Sequence, residues 1–352
     1  MTRVGLSKII SNFKLIVEDC FTCLDIVVAS ILSWMGYRYE LMFINSWEFS
    51  FKPAPSGLIS DGLSDCAGGI WHPLEVYQGI KLITKNPEVQ DALCFIREEL
   101  RNNRPVILNT DTYWCPWHEF YQRIRRPHCL IILGIDDESN ILYCMDKFTQ
   151  QAKEGPSEMS FKDFSSGYQS IMTISLGKPI CEIDGRKIIR EAVLCTKGQT
   201  NYDLFYALKK GDFCKKAFLA FKLRQNKYSK PNCIREMMVF AQKISESSLE
   251  NEKRLDLPLE RNPLLMKLML IANGRKKFGY LMKYLAEEYK IESLTYFSNI
   301  MFIIASLWQD VLSHLYKYLK TTDIKEKSHF YRGVRTMALF EEMFLNMLIK
   351  HY

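Results

Sequence analysis

The chain has 352 residues, 47% of them hydrophobic and 25% charged, with a formal net charge of +7. That length accommodates two domains with sizeable cores, and this composition excludes a chain dominated by disorder. Eleven cysteines, an odd number scattered through apolar runs (Cys94, Cys129, Cys144, Cys195), exclude a small disulfide-stapled scaffold and point to reduced thiols in a cytoplasmic protein.

The opening MTRVGLSKIISNFKLIVEDC is a short amphipathic lead-in without a small-residue cleavage site. The longest apolar stretches, near 24–36 and 298–308, fall short of the ~20 residues of a membrane span, so no membrane partner is expected. Charge divides unevenly. Residues 1–180 hold 17 Lys+Arg and 21 Asp+Glu, a net −4; the remainder of the 47 and 40 is 30 and 19, a net +11. The basic residues are spread along amphipathic helices rather than gathered in a tail, and no nucleic-acid motif is present, so nucleic acid is not an expected partner.

In chain order, Leu24, Val27, Val28, Ile31, Leu32 and Met35 recur at helical spacing, which predicts a helix over 22–35 stopped by Gly36. Thr22 is its candidate N-cap, which places Cys23 at the first helical position. The aromatic run YRYELMFINSWEFSFK (37–52) suggests extended structure, and the Gly- and Pro-rich 53–73 reads as a long loop. A helix follows over 87–102. Strands are predicted at 105–111, 128–134, 141–146 and 168–176, the middle two forming a hairpin around the turn residues 136–140. Beyond about residue 180 strand signals fade. Helices are predicted at 186–196, 201–223, 232–247, 263–290, 293–320 and 332–350, with the charged stretch 320–328 as a break. The fold class is α+β: a papain-like domain over 1–180 and a C-terminal α-helical domain over 181–352.

The chemistry-bearing pattern is a Cys at a helix start, a His on one strand and an Asp on its neighbour. A helix N-terminus and an imidazolium both favour a thiolate, the His can then move a proton, and the Asp orients the ring. Cys23, His128 and Asp146 fill these positions, with Cys20, one turn earlier, as the alternative thiol. Asp136 and Asp137 sit in a polar turn and suit the orienting role less well than Asp146. Asp111, closing its own strand, is a further acid for a site role, with a cap as the competing reading. Cys20-x-x-Cys23 and Cys115-x-x-His118 have zinc-ligand spacing. The first pair runs into an apolar helix rather than a knuckle, so no metal is expected. Papain-like enzymes place a Gln just upstream of the nucleophile. The nearest amide side chain here is Asn12, which leaves only the Cys23 backbone N–H as an identified oxyanion donor.

These residues resemble the family named for butirosin biosynthesis protein H. The likeness is carried by Cys23 through Gly36, INSWEFSF (44–51), PVILNTDTYWCPW (105–117) and HCLIILGIDD…LYCMD (128–146). The helical half adds Trp308 and the Glu341–Glu342 pair, while Thr22 stands where the family usually carries His or Asn. The resemblance implies a papain-fold cysteine acyltransferase of natural-product assembly, similar to the amide-forming enzyme of closthioamide biosynthesis. Such an enzyme takes an acyl chain from the phosphopantetheine thioester of an acyl or peptidyl carrier protein and passes it to an amine, a diamine or an aminated small molecule. No cofactor is expected to be bound beyond the phosphopantetheine that presents the substrate. Loop 53–73 and the aromatic segments 44–51 and 113–121 would wall the site, which makes Asp111, Tyr113, Trp47 and Cys20 the candidate substrate-binding residues. Arg123, Arg125, Arg126 and the basic half would dock an acidic carrier. Two other readings stay open: a cysteine peptidase or amidase with the same triad, and a non-catalytic scaffold.

Overall fold

A computed structural model describes residues 13–64, 71–148, 155–196, 232–253 and 258–352. The helix predicted over 201–223, and Asn12, lie outside the described residues. The chain divides into two compact units: Met1–Tyr39 with Leu74–Pro179, and Glu40–Pro73 with Ile180–Tyr352. Division is therefore not a single cut at residue 180, because the aromatic segment and the loop after it belong with the helical half.

The first unit is built on a six-stranded sheet. Helix α1 (Cys23–Trp34) comes first, followed by α2 (Trp71–Gln78), β1 (Ile80–Lys85), α3 (Val89–Arg101) and β2 (Val106–Asp111). Then come β3 (Pro127–Asp136), β4 (Ile141–Met145), β5 (Ser157–Ser160), α4 (Phe161–Gly167) and β6 (Ser170–Leu176). The strand order is β1-β6-β2-β3-β4-β5, with every neighbouring pair antiparallel. β3 is buried along nearly its whole length, from Leu130 to Asp136, as its unbroken apolar run requires of a strand covered on both faces. α1 packs against it. Strands β1 and β5 escape the sequence reading because they are the two edges of the sheet. IKLITK and SEMS carry little apolar pattern where one flank has no strand partner.

The local cause of α1 is a complete capping box. The Thr22 hydroxyl accepts from the Asp25 backbone N–H (3.2 Å), and the Asp25 carboxylate accepts from the Thr22 N–H (2.7 Å). Two orphan donors of the helix start are satisfied reciprocally, so the first turn is pinned with Cys23 at its first position. Loop 112–126 folds back on itself, where the Thr112 N–H donates to the Arg126 carbonyl (2.9 Å). Its closure needs Gly167: a Cβ there would lie 2.7 Å from both Thr110 Oγ1 and Trp114 Cβ.

The second unit holds α5 (Gly185–Thr196), α6 (Cys233–Glu246), α7 (Pro263–Tyr289), α8 (Glu292–Thr321) and α9 (Ile324–His351). Residues 37–52 depart from the extended structure predicted for them. Tyr39–Phe43 is a 3-10 helix, only Ser50–Phe51 is strand, and 41–47 are buried without interruption. A half-buried strand would expose every second residue; this segment is instead sunk among helices. Phe49 and Phe51 meet Phe240 edge-on at 5.6 and 5.2 Å. Trp47 packs between Phe278 and Phe344 and donates its indole N–H to Glu341 (2.8 Å). Trp308 donates to the other oxygen of Glu341 (2.7 Å), and Arg275 binds both oxygens at 3.0 Å. Arg275 and Glu341 are fully buried. The helices break within the charged stretch 320–328, as expected, but the interruption is only Thr322, in the left-handed conformation, and Asp323, which caps α9. No helix among the described residues is long and apolar enough to cross a membrane.

Candidate active site

Three elements of the sheet unit converge. α1 presents Cys23 at its first turn, β3 presents His128 and Cys129 at its start, and Asp146 follows the end of β4, the strand beside β3. The His128 Nε2 and an Asp146 carboxylate oxygen lie 2.8 Å apart, both residues buried. That leaves Nδ1 for Cys23, whose thiol is hydrogen-bonded to the imidazole. Asp146 is itself held: the Trp117 indole N–H donates to the same oxygen (2.9 Å) and the Phe148 backbone N–H to the other (2.5 Å).

The electrostatics follow from these contacts. The Cys129 hydrogen bond acts most strongly on Cys23 and favours the thiolate. Burial opposes it, the His128 hydrogen bond and positive charge reinforce it, and the thiol drops to about 4. Burial disfavours a charged His128, but its bonds to Asp146 and Cys23 outweigh that and raise it to about 9. Burial also works against a charged Asp146. The His128, Trp117 and Phe148 hydrogen bonds prevail and hold the carboxyl below its ordinary range. Near neutral pH these contacts favour a thiolate, an imidazolium and a carboxylate in one line, an arrangement that can pair a nucleophile with a proton carrier.

Of the other predicted site residues, Asp111 acts as a local cap. One of its oxygens accepts from the Tyr113 (2.9 Å) and Arg126 (3.2 Å) backbone N–H groups, and Arg125 lies 3.9 Å from the other. Tyr113 stacks edge-on with Trp114, and the Arg125 guanidinium lies over its ring at 4.9 Å. Cys20 is buried in the segment leading into α1. Trp47 is a core residue of the helical unit, held by Glu341. Cys115 is a core thiol. Burial pushes it far up, and its Sγ lies 3.7 Å from the Asp111 carbonyl.

Three residues not assigned to the Cys–His–Asp chain from the sequence meet here: Cys129, expected as a reduced thiol; His118, at zinc-ligand spacing from Cys115; and Trp117, in the aromatic segment 113–121. Cys129 follows His128 on a strand, where alternation sends neighbouring side chains to opposite faces. Yet its thiol also reaches Cys23, while its sulfur lies 2.9 Å from the Asn109 side-chain oxygen. His118 is buried in the returning loop, its ring 5.7 Å from that of His128 and 4.1 Å from Phe148. Burial first, then the charge on His128, lowers His118 below the ordinary imidazole range, and its Nδ1 accepts from the Phe120 N–H (3.1 Å). Trp117 is the third. The segment 113–121 is expected from the sequence to wall the site, but only the fold-back of loop 112–126 brings Trp117 to Asp146.

No curated protein matches the chain. Residues 23–147, which run from Cys23 to one residue past Asp146, match the family described as Butirosin biosynthesis protein H, N-terminal. Over these residues the chain is similar to the N-terminal domain of that family.

Proposed function

We propose that the protein is a cysteine-dependent acyltransferase that moves an acyl chain from a carrier-protein phosphopantetheine thioester to an amine. The similarity of residues 23–147 to the butirosin biosynthesis protein H N-terminal domain supports a biosynthetic enzyme of the acyl-transfer type. The observation that carries the finer reading is the Cys23–His128–Asp146 chain, in which a helix-start thiolate faces an imidazolium oriented by a triply held carboxylate.

The Cys23 thiolate attacks the thioester carbonyl, and the Cys23 backbone N–H, unpaired at the helix start, supports the oxyanion. As the tetrahedral adduct collapses, the carrier sulfur leaves and takes the proton from His128 Nδ1. The acyl group now rests on Cys23, and His128 is neutral. An amine then attacks. Neutral His128 takes its proton, the Cys23 thiolate departs, and the amide and the starting ion pair result. Thioester exchange is nearly isoenergetic and aminolysis is downhill, so no ATP is consumed. Asp146 stays ionised throughout, its role being to keep Nε2 protonated. The exposed Arg123 and Arg125 supply positive charge for an acidic carrier.

The test is intact-mass detection of acyl-enzyme after incubation with acyl-loaded carrier proteins. Expected is a single acyl increment, absent in Cys23→Ala and discharged by added amine. Loading that survives Cys23→Ala would sink the assignment. Cleavage of casein or peptide esters, with no loading from any carrier thioester, would favour a peptidase instead.

A further inference from the structure

The helical unit carries a second cluster of metal-type ligands that the proposed chemistry does not use. α8 and α9 are joined by a tight connection of Thr322 and Asp323, so the two helices run antiparallel and pack on each other. Leu312 and Leu315 of α8 and Phe330 and Val334 of α9 are buried. His314 on α8 therefore stands opposite the first turns of α9, where Glu326 and His329 share one helix face at a spacing of three. The donor atoms of His314, Glu326 and His329 all lie within 4.8 Å of one another. His314 Nδ1 is 2.6 Å from a Glu326 carboxylate oxygen, and the two imidazole rings are 5.1 Å apart.

We propose that His314, Glu326 and His329 form a binding site for a divalent first-row transition ion of the zinc type. Two imidazoles and one carboxylate are a borderline donor set that suits Zn2+ and its Irving–Williams neighbours rather than Mg2+ or Ca2+. Metal–ligand bonds of ~2.0–2.2 Å at a tetrahedral angle put donors about 3.3 Å apart. The cluster reaches that geometry by small side-chain rotations. The 2.6 Å His314–Glu326 contact opens by roughly 0.7 Å as the ion replaces the proton between them. Donors further apart close by up to about 1.5 Å. His314 and Glu326 are only partly exposed, at 33% and 22% of the side chain, His329 is exposed, and helices hold all three backbones. Lys317, whose charge acts on Glu326, opposes the cation and weakens the site. Three protein ligands leave one position for water. The ion would clamp the α8–α9 hairpin.

The active-site thiols and His128 could themselves take up zinc, so the experiment uses the full-length chain carrying Cys23→Ala and Cys129→Ala. Zn2+ is titrated by calorimetry, with thermal melting in parallel. Expected is one Zn2+ per chain with a raised Tm, loss of both effects in His314→Ala/His329→Ala, and binding at least about tenfold weaker in Glu326→Gln. Circular dichroism checks that the variants keep their helix content, and each histidine is also replaced singly by Gln. Absence of zinc binding in the parent overturns the proposal. So does unchanged stoichiometry and affinity when the histidines are removed, which would leave the cluster a plain histidine–glutamate hydrogen bond. Neither outcome bears on acyl loading at Cys23.

Discussion

Removing the imidazole of His128 tests the thiolate directly. An ordinary thiol near 8.5 loses about a thousandfold in thiolate between pH 8 and pH 5, and its alkylation rate falls in step. With its thiol at about 4, Cys23 should instead react with iodoacetamide at a rate that changes less than about threefold over that range. Absolute speed is a poor guide. Lowering a thiol by ~4.5 units costs roughly a hundredfold in intrinsic nucleophilicity, so at pH 8 Cys23 is no faster than a surface thiol, while at pH 5 it leads by about thirtyfold. The shape of the profile decides. An imidazolium about 4 Å from a thiolate at an effective dielectric near 20 contributes ~4 kcal/mol, about three pH units. His128→Gln should therefore move the acid edge up by that amount. Its rate should climb about tenfold per unit from pH 5 to pH 7, where the wild-type profile is level. Peptide-resolved mass spectrometry isolates Cys23 from the other thiols. A flat profile in His128→Gln would refute the ion-pair account and leave the thiolate to Cys129 and the helix start. Wild-type acylation should fall above about pH 9, where His128 loses the proton the leaving sulfur needs.

Cys129→Ala removes one hydrogen bond to an ionised group and should raise the same acid edge by about one to two units; Cys129→Ser should restore most of it, and identical edges in all three proteins would dismiss the contact. Glu341→Ala strands Arg275 and the Trp47 and Trp308 indoles in the fully buried core of the helical unit. A loss of about 3–5 kcal/mol in denaturant unfolding is expected, and a loss under 1 kcal/mol would mean that water satisfies these groups.

Local physics made much of this protein legible from its residues. The Thr22-to-Gly36 pattern determines a helix and its start, because a cap, a 3.6-residue apolar repeat and a glycine stop act within a few turns. The continuous apolar run after His128 determines a buried strand, and the turn after it determines the neighbour that carries Asp146. So the Cys, His and Asp brought together at one site were visible as types at telling positions. What the sequence could not determine is anything set by burial across distant segments. The aromatics of 41–51 read as a strand and as walls of a site, but an aromatic side chain does not say which core it enters. Only the tertiary structure puts Trp47 on Glu341, nearly three hundred residues away. Likewise, alternation along a strand argues against His128 and Cys129 both reaching one thiol. Only the packing of α1 across the start of β3 brings Cys129 to Cys23, and only the fold-back of loop 112–126 brings His118 and Trp117 to His128 and Asp146. The short-range terms choose the elements, while the contacts that tune the thiol are long-range and exist only once those elements have packed.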